Sequence, residues 1–268
     1  RMYGYDHVIP TFMPDSKVTM GGLSELQKKE LKLKKDLCSI GAYECIHYSF
    51  ISPSDFDMMN LAADAKEREA IRILNPINED LSIMRTTLAS SMLNAISRNQ
   101  KKGNLAGRLY EVANKFIPKS LPLTEYPEER ATLCIGIWGQ GEDFFSLKGM
   151  ANKVAETFFT KFEYEVDEKS YLHPFQCASI KLGEQVIGYL GKVAYEVADK
   201  LDLREDAYIL EIELKYLYDL NTKASYTPLS KYPEETRDLA LVMDKNVTCG
   251  QVENVISNSC KFVQDIKL

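Results

Sequence analysis

The sequence predicts an α+β fold built around a largely antiparallel sheet. Several apolar, strand-like segments follow one another too closely for the long crossover connections that parallel strands need. The clearest pair, 177–182 and 185–191, is joined by a two-residue turn that begins with Gly183. Stretches with apolar residues at helical spacing lie between these segments, so helices and strands are mixed along the chain.

The composition is that of an ordinary soluble globular protein. The 268 residues include 33 basic and 39 acidic ones, a formal charge of −6, and 45% are apolar. These values exclude wholesale disorder, and the acidic balance disfavours a dedicated nucleic-acid coat protein. No apolar run approaches the roughly 20 residues of a membrane helix. Six scattered cysteines and three separated histidines indicate neither a disulfide framework nor a zinc site, which favours a cytosolic location.

The first strong helix is predicted over 24–40, after an extended lead-in over 1–22. Ser24 and Gln27 form a capping-box pattern, and Gly41 suits the position that ends a helix. One face of this helix carries a nearly heptad apolar stripe, formed by Leu23, Leu26, Leu33, Leu37 and Ile40. The stripe suits packing against another helix, either in the core of the same domain or in a partner subunit.

The remaining elements follow from apolar alternation, helical periodicity and Pro or Gly breakers. Strands are predicted over 43–51, 70–74, 109–117, 131–138, 177–182, 185–191 and 208–214, and helices over 55–63, 86–99, 146–161 and 195–200. Gly139 and Gly141 follow a strand, but Phe144 stands where a dinucleotide-binding loop needs a third glycine. We therefore interpret that loop as a plain turn.

The chain changes character near its C-terminal end. Residues 221–233 are polar, contain prolines and lack periodicity, which is typical of a domain linker. A strand over 238–244, a helix from Thr248 to residue 260 and a strand over 262–266 then predict a β-α-β unit. This is the first half of a ferredoxin-like domain and is too small to be stable alone. With the start at Arg1, it leads us to expect a piece of a longer protein, truncated at both ends.

No catalytic constellation stands out. The paired carboxylates are adjacent in sequence, so their side chains diverge, and the serines at 90–91 have no histidine or lysine positioned to activate them. Residues 91–120 are locally positive, with six basic residues against Glu111. The basic ones are Arg98, Lys101, Lys102, Arg108, Lys115 and Lys119. They indicate either a phosphate-binding or acidic-partner surface, or a solvated helix end and loop.

Seven segments spread over the chain carry a recognisable pattern. They include Asn-Pro-Ile-Asn-Glu-Asp-Leu-Ser-Ile-Met-Arg-Thr-Thr-Leu at 75–88 and Tyr-Leu-His-Pro at 171–174. The other five lie at 1–6, 94–100, 142–149, 187–191 and 230–242. Together, and in the family's order, they resemble the β subunit of bacterial phenylalanine–tRNA ligases. One departure stands out, because the family usually has Gly-Arg where this chain has Phe175 and Gln176.

The resemblance implies a domain organisation. Residues 1–10 would end a preceding B5-type, DNA-binding-like domain, and 11–220 would copy the catalytic fold of class II aminoacyl-tRNA synthetases, an antiparallel sheet flanked by helices. After the linker over 221–233, residues 234–268 would begin a truncated ferredoxin-like anticodon-binding domain.

The same resemblance implies that the class II copy is inactive. A class II site holds ATP with an arginine on its second-motif strand, and Glu111 aligns with that position. A carboxylate repels a triphosphate. Another arginine belongs to a Gly-x-Gly-x-x-Arg motif, and residues 208–220 contain no glycine. We therefore expect no catalytic residue, cofactor or metal in this segment, while the holoenzyme would use ATP and magnesium.

The implied function is a non-catalytic part of a phenylalanine–tRNA ligase, an enzyme that attaches phenylalanine to tRNA(Phe). It would support the α subunit and help to position tRNA in a cytoplasmic α₂β₂ heterotetramer without membrane association. Candidate subunit contacts are Leu26, Leu33 and Leu37, and candidate tRNA contacts are Lys231 and Arg237. The alternatives are a stand-alone synthetase-like interaction or regulatory module, and an independent small-molecule ligase, which would lack its phosphate-binding arginines.

Overall fold

The structure is a computed structural model that describes residues 2–11, 21–226, 228 and 231–267. The chain divides into two compact units, Arg1–Ala224 and Ser225–Leu268. The lead-in predicted over 1–22 falls largely on residues 12–20, which lie outside the described residues. Its described part contains one turn of 3-10 helix, Tyr5–His7.

The first unit contains six α-helices and nine strands in its described residues. The helices are α1 (Glu25–Ser39), α2 (Ser54–Met58), α3 (Ala89–Lys101), α4 (Phe144–Thr157), α5 (Tyr195–Leu201) and α6 (Lys215–Tyr218). The strands are β1 (Tyr43–Glu44), β2 (Phe50–Ile51), β3 (Ile83–Met84), β4 (Gly107–Ile117), β5 (Glu128–Trp138), β6 (Glu163–Val166), β7 (Leu172–Leu182), β8 (Gln185–Val193) and β9 (Ala207–Glu213).

Seven of the strands form one sheet in the order β1-β4-β5-β9-β8-β7-β6. Every neighbouring pair in it is antiparallel except β1 with β4. Strands β2 and β3 form a separate antiparallel pair. The predicted α+β class with a largely antiparallel sheet is therefore confirmed.

Local signals in the sequence account for the ends of several elements. Ser24 and Gln27 cap α1 reciprocally, as predicted, and Gly41 follows it with a positive φ of 84°. Asp143 caps α4 in the same way, so this helix begins two residues before the predicted start. The hairpin between β7 and β8 turns at Gly183, whose φ of 59° favours glycine. All these signals are local.

The sheet separates two apolar cores. Helices α1 and α4 cover one face, where Ile135 and Leu210 are buried, and α3 and α5 cover the other. At the centre of the second face β5 carries Gly136, where a Cβ atom would lie 2.8 Å from side-chain atoms of both Met92 and Ile96 on α3. The glycine thus lets α3 lie directly on the sheet.

Three predicted elements differ in the structure. The strand expected over 43–51 is reduced to β1 and β2, because residues 45–49 leave the sheet between them. The helix expected over 55–63 is the shorter α2. The strand expected over 70–74 amounts to one isolated bridge, between Arg72 and Ile83. None of the helices in the described part of the chain is long and apolar enough to cross a membrane.

Where the structure describes it, the second unit contains one helix, α7 (Cys249–Ser259), which Thr248 caps as predicted. The described residues 238–244 and 262–266 form no strand, so the two strands predicted around this helix are wrong in this structure. The structure therefore does not confirm the ferredoxin-like unit that the sequence predicts.

Candidate functional site

Two carboxylates lie at the centre of the sheet face that α3 covers. Glu111 on β4 and Glu211 on β9 are 2% and 3% exposed. Their chain neighbours Tyr110 and Leu210 point to the opposite, apolar face because side chains alternate along a strand. A buried carboxylate is unfavourable unless it is paired and hydrogen-bonded, so the partners of these two groups define the candidate site.

Glu111 is held by Arg85 and His47, and we call these three residues the Glu111 cluster. Arg85 Nη1 lies 3.0 Å from Oε1 of Glu111, and His47 Nδ1 lies 2.7 Å from Oε2. The backbone N–H of His47 also donates to Oε1, at 3.2 Å. Burial opposes ionisation of Glu111, but His47 and Arg85 outweigh it and lower the pKa of the carboxyl. Glu111 is therefore an ionised anchor for the segment around His47.

Glu211 is held by four donors. Its Oε2 accepts from Thr87 Oγ1 at 2.6 Å, the Leu88 backbone N–H at 3.0 Å and the Tyr189 hydroxyl at 3.3 Å. Lys115 Nζ lies 3.2 Å from Oε1. Both oxygens of this carboxylate are thus satisfied at the start of α3.

Lys115 is shared between two carboxylates. Its ammonium also lies 2.8 Å from Glu213, which in turn pairs with Arg130 at 3.2 Å. Burial disfavours the charge on Lys115, but Glu211 and Glu213 outweigh it and raise the pKa of the ammonium. Opposite charges thus balance each other across three strands of this face.

The arrangement does not fit the phosphates of ATP. Arg85 and Lys115 are the cations at the centre of this face, and both are already paired with carboxylates. The resemblance predicts that Glu111 stands where a class II site needs an arginine, and a carboxylate repels a triphosphate. Strand β9 and helix α6 contain no glycine. The chemistry of this donor set is therefore internal ion pairing.

A cleft of about 730 Å³ lies beside the Glu111 cluster. One wall is the segment from Ile46 to Asp55, which includes His47, and the other is α3 with Ser91, Asn94 and Arg98. A smaller pocket of about 320 Å³ lies at the other end of the sheet, where Leu26 of α1 faces α6.

The basic side chains of the positive stretch over 91–120 do not lie together in the structure. Lys115 pairs with Glu211, Arg108 lies 2.6 Å from Glu142 and Lys119 lies 2.7 Å from Glu125. The stretch contains most of α3, the whole of β4 and the loops after them, so charges that cluster in sequence do not cluster in space. It forms no single phosphate-binding surface in the described residues.

The leucine stripe of α1 divides between core and surface. Leu33 and Leu37 are 0% and 1% exposed, in the core between α1 and α4, whereas Leu26 is 52% exposed. Two residues with no free surface cannot bury area against a partner, so their assignment as subunit contacts is corrected to core packing within the domain. Leu26 remains a candidate contact.

Lys231 and Arg237 lie in the second unit and are exposed. The Arg237 guanidinium bonds to the Glu235 carboxylate two residues away. Their assignment as tRNA contacts stays a prediction.

The unusual Phe175 and Gln176 lie at an irregularity of β7, between the paired residues Leu172 and Cys177. Phe175 is 91% exposed, and its backbone N–H donates to Nδ1 of His173 at 3.2 Å. Neither residue carries a positive charge, so any contact that an arginine makes at this point in relatives is not available from these two positions.

A match to a family model identifies the protein family of this chain. The model described as "Phenylalanyl tRNA synthetase beta chain CLM domain" matches residues 9–214. The chain belongs to the phenylalanine–tRNA ligase β-subunit family. The ion-paired face lies within the matched range, on the strands that the CLM domain contributes to the sheet.

Curated relatives agree with this family. The chain is 36% identical to the phenylalanine–tRNA ligase β subunit of Clostridium tetani, over 100% of this chain and 34% of that protein. It is 34% identical to that of Bacillus subtilis, over 97% of this chain and 33% of that protein. The chain therefore spans about a third of the length of the relatives it matches.

Solved structures share the fold of this β-subunit domain. Two are of the pyrrolysyl-tRNA synthetase of Desulfitobacterium hafniense, with TM-scores of 0.60 and 0.58 and identities of 17% and 16%. Each match covers 72% of this chain and 67% of the other. At these identities the likeness shows the fold alone, and that fold is class II synthetase-like.

Sequence reasoning missed two members of the site. Arg85 lies in the segment 75–88 that carries the resemblance, and His47 lies in a predicted strand, yet neither was a candidate. They are 26 and 64 residues from Glu111. The signal available was the buried position of Glu111 in a strand between apolar residues, which requires a cationic partner somewhere in the fold.

Proposed function

We propose that this chain forms the catalytic-like but inactive part of a phenylalanine–tRNA ligase β subunit. It supports the α subunit and helps to position tRNA(Phe) while phenylalanine is attached to that tRNA with ATP. Family membership supports the assignment to the ligase. Since the chain spans about a third of its relatives, the activity belongs to a larger assembly.

The observation that carries the inactive role is the Glu111 cluster. The group that the resemblance aligns with a phosphate-binding arginine is a carboxylate, already paired with Arg85 at 3.0 Å and with His47 at 2.7 Å. Breaking a buried ion pair is costly, so the cluster favours a stable sheet over ligand capture.

The holoenzyme is proposed to be a cytoplasmic α₂β₂ heterotetramer that uses ATP and magnesium at its α subunits. Within this chain, 11–220 would be the catalytic-like domain, 221–233 a linker and 234–268 the start of an anticodon-binding domain, with 1–10 ending the domain before it. The family match over 9–214 supports the main boundary. Leu26 is the remaining proposed α-subunit contact, and Lys231 and Arg237 are proposed tRNA contacts.

The test is photo-labelling of the assembled ligase with 8-azido-ATP in the presence of magnesium. We expect the label on the α subunit, its loss with excess ATP, and none on peptides of residues 107–138 in β. Competed labelling of those β peptides would contradict the inactive role. Failure of full-length β to assemble with α into an active ligase would contradict the proposed assembly.

A further inference from the structure

One corner of the first unit holds the end of that unit's own chain. Helix α6 ends at Tyr218, and the chain then continues into the linker predicted over 221–233. Lys29 Nζ on α1 donates to the backbone oxygen of Leu220 at 2.9 Å and also to that of Tyr218. The last carbonyl groups of a helix lack partners within it, and a lysine is a favourable donor to them. Helix α1 therefore ties down the residues that follow α6.

The position of Lys29 follows from the packing of α1. Lys29, Leu33 and Leu37 are spaced four residues apart, so they share one face of the helix. Both leucines are buried in the core that α1 and α4 cover. Because they hold this face against the domain, the stem of Lys29 is half-buried, whereas Lys35 on the same helix is exposed. The two contacts of Lys29 are thus built into the fold of the first unit.

A second bond holds the chain further on. Thr222 Oγ1 donates to the backbone oxygen of Phe158, the residue that follows α4. The ring of Phe158 lies 6.0 Å from that of Tyr218, and Leu220 packs against the same core. Residues 223–226 are exposed. The attachment of the chain to the first unit therefore reaches Thr222, two residues into the predicted linker.

We propose that Lys29 is a positioning residue, which fixes the point at which the chain leaves the first unit for the second. The inference rests on the proposed function, in which the second unit contacts tRNA(Phe). Anchoring the chain up to Thr222 shortens the linker, and a shorter linker keeps the module that it carries at a higher effective concentration near its target. Loss of the Lys29 contacts releases 219–222, so it weakens tRNA binding and leaves the chemical step at the α subunit unchanged.

The first test is amide hydrogen exchange of full-length β in the assembled ligase. Lys29→Met keeps the apolar stem of the side chain and removes the ammonium, and Lys35→Met is the matched control on the same helix. The N–H groups of Asp219 and Leu220 donate to carbonyls of α6, so their exchange reports whether this end of the unit is held. We expect exchange at least tenfold faster in Lys29→Met, a smaller change of the same sign in Thr222→Val, and none in Lys35→Met. Unchanged exchange in Lys29→Met would overturn the anchor.

The second test is steady-state aminoacylation with the same variants. Lys29→Met should raise the KM for tRNA(Phe) two- to fivefold at unchanged kcat, and Lys29→Arg, which keeps a cationic donor, should restore the wild-type KM. Faster exchange with an unchanged KM, or a fall in kcat alone, would overturn the positioning role. Failure of the proposed function would look different, because the ligase would then keep its KM when Lys231 and Arg237 are both replaced by alanine.

Discussion

Arg85 and Glu111 form a buried ion pair on the sheet face that α3 covers. Both are almost fully buried, and each supplies the charge that the other needs. Removing one partner leaves an uncompensated buried charge, whereas replacing both by apolar residues removes the electrostatic problem.

This predicts a non-additive pair of substitutions. Arg85→Met alone should lower the free energy of unfolding by about 3–5 kcal/mol, and Arg85→Met with Glu111→Leu should recover most of that loss. Urea unfolding of the single and double variants measures the coupling. Additive losses would mean that the ion pair does not carry the stability of this face.

The low pKa of Glu111 predicts a dependence of stability on pH. Its ordinary value is 4.5, and His47 and Arg85 lower it in the folded protein. Below about pH 5 the unfolded chain takes up this proton before the folded one does, so stability falls as the pH falls. In Glu111→Gln this decline should be shallower, as measured by urea unfolding between pH 3 and 7, with Glu129→Gln on the exposed part of β5 as the control.

At the scale of elements, one part of the apolar stripe on α1 is buried in the core and another part is exposed. Leu33→Ala or Leu37→Ala should lower the free energy of unfolding by about 2–5 kcal/mol each, because a cavity forms beside α4. Leu26→Ala should change it by less than about 0.5 kcal/mol, because that side chain is half exposed. Equal effects of Leu26→Ala and Leu33→Ala in urea unfolding would contradict this division.

Elements whose signals are local could be predicted from the sequence. The capping box at Ser24, the alternation in β5 and the turn at Gly183 all lie within a few residues of what they determine. The prediction of one strand over 43–51 was wrong because contacts with residues distant in sequence determine the conformation of its middle. Cys45 bonds to Tyr110 and His47 to Glu111, so the chain leaves the sheet there in spite of its β-forming composition.

The site could be predicted only in part, for the same reason. The resemblance singled out Glu111, but its partners lie far along the chain, His47 between β1 and β2 and Arg85 directly after β3. The excess of basic residues over 91–120 is a property of the sequence, but a charge count does not say which way each side chain points. The dispersal of these charges in the fold could therefore not be predicted.

At the scale of the whole domain, the two faces of the sheet divide their tasks. One face packs against α1 and α4 through apolar side chains, and the other combines an apolar core under α3 and α5 with ion pairs within the chain. Within the described residues the central charges of this face form a complete set of pairs, Arg85 with Glu111 and Lys115 with Glu211.

This completeness predicts that ATP does not stabilise the chain. A ligand at one hundred times its Kd stabilises a protein by about 2.7 kcal/mol, which raises the thermal midpoint of a domain this large by roughly 5–10 °C. Adding millimolar MgATP and phenylalanine to this chain should leave its midpoint unchanged in scanning calorimetry, while the same addition to the complete ligase should raise the transition of the α subunit. A rise of several degrees in the isolated chain would show that the sheet still binds nucleotide, despite Glu111 and its partners.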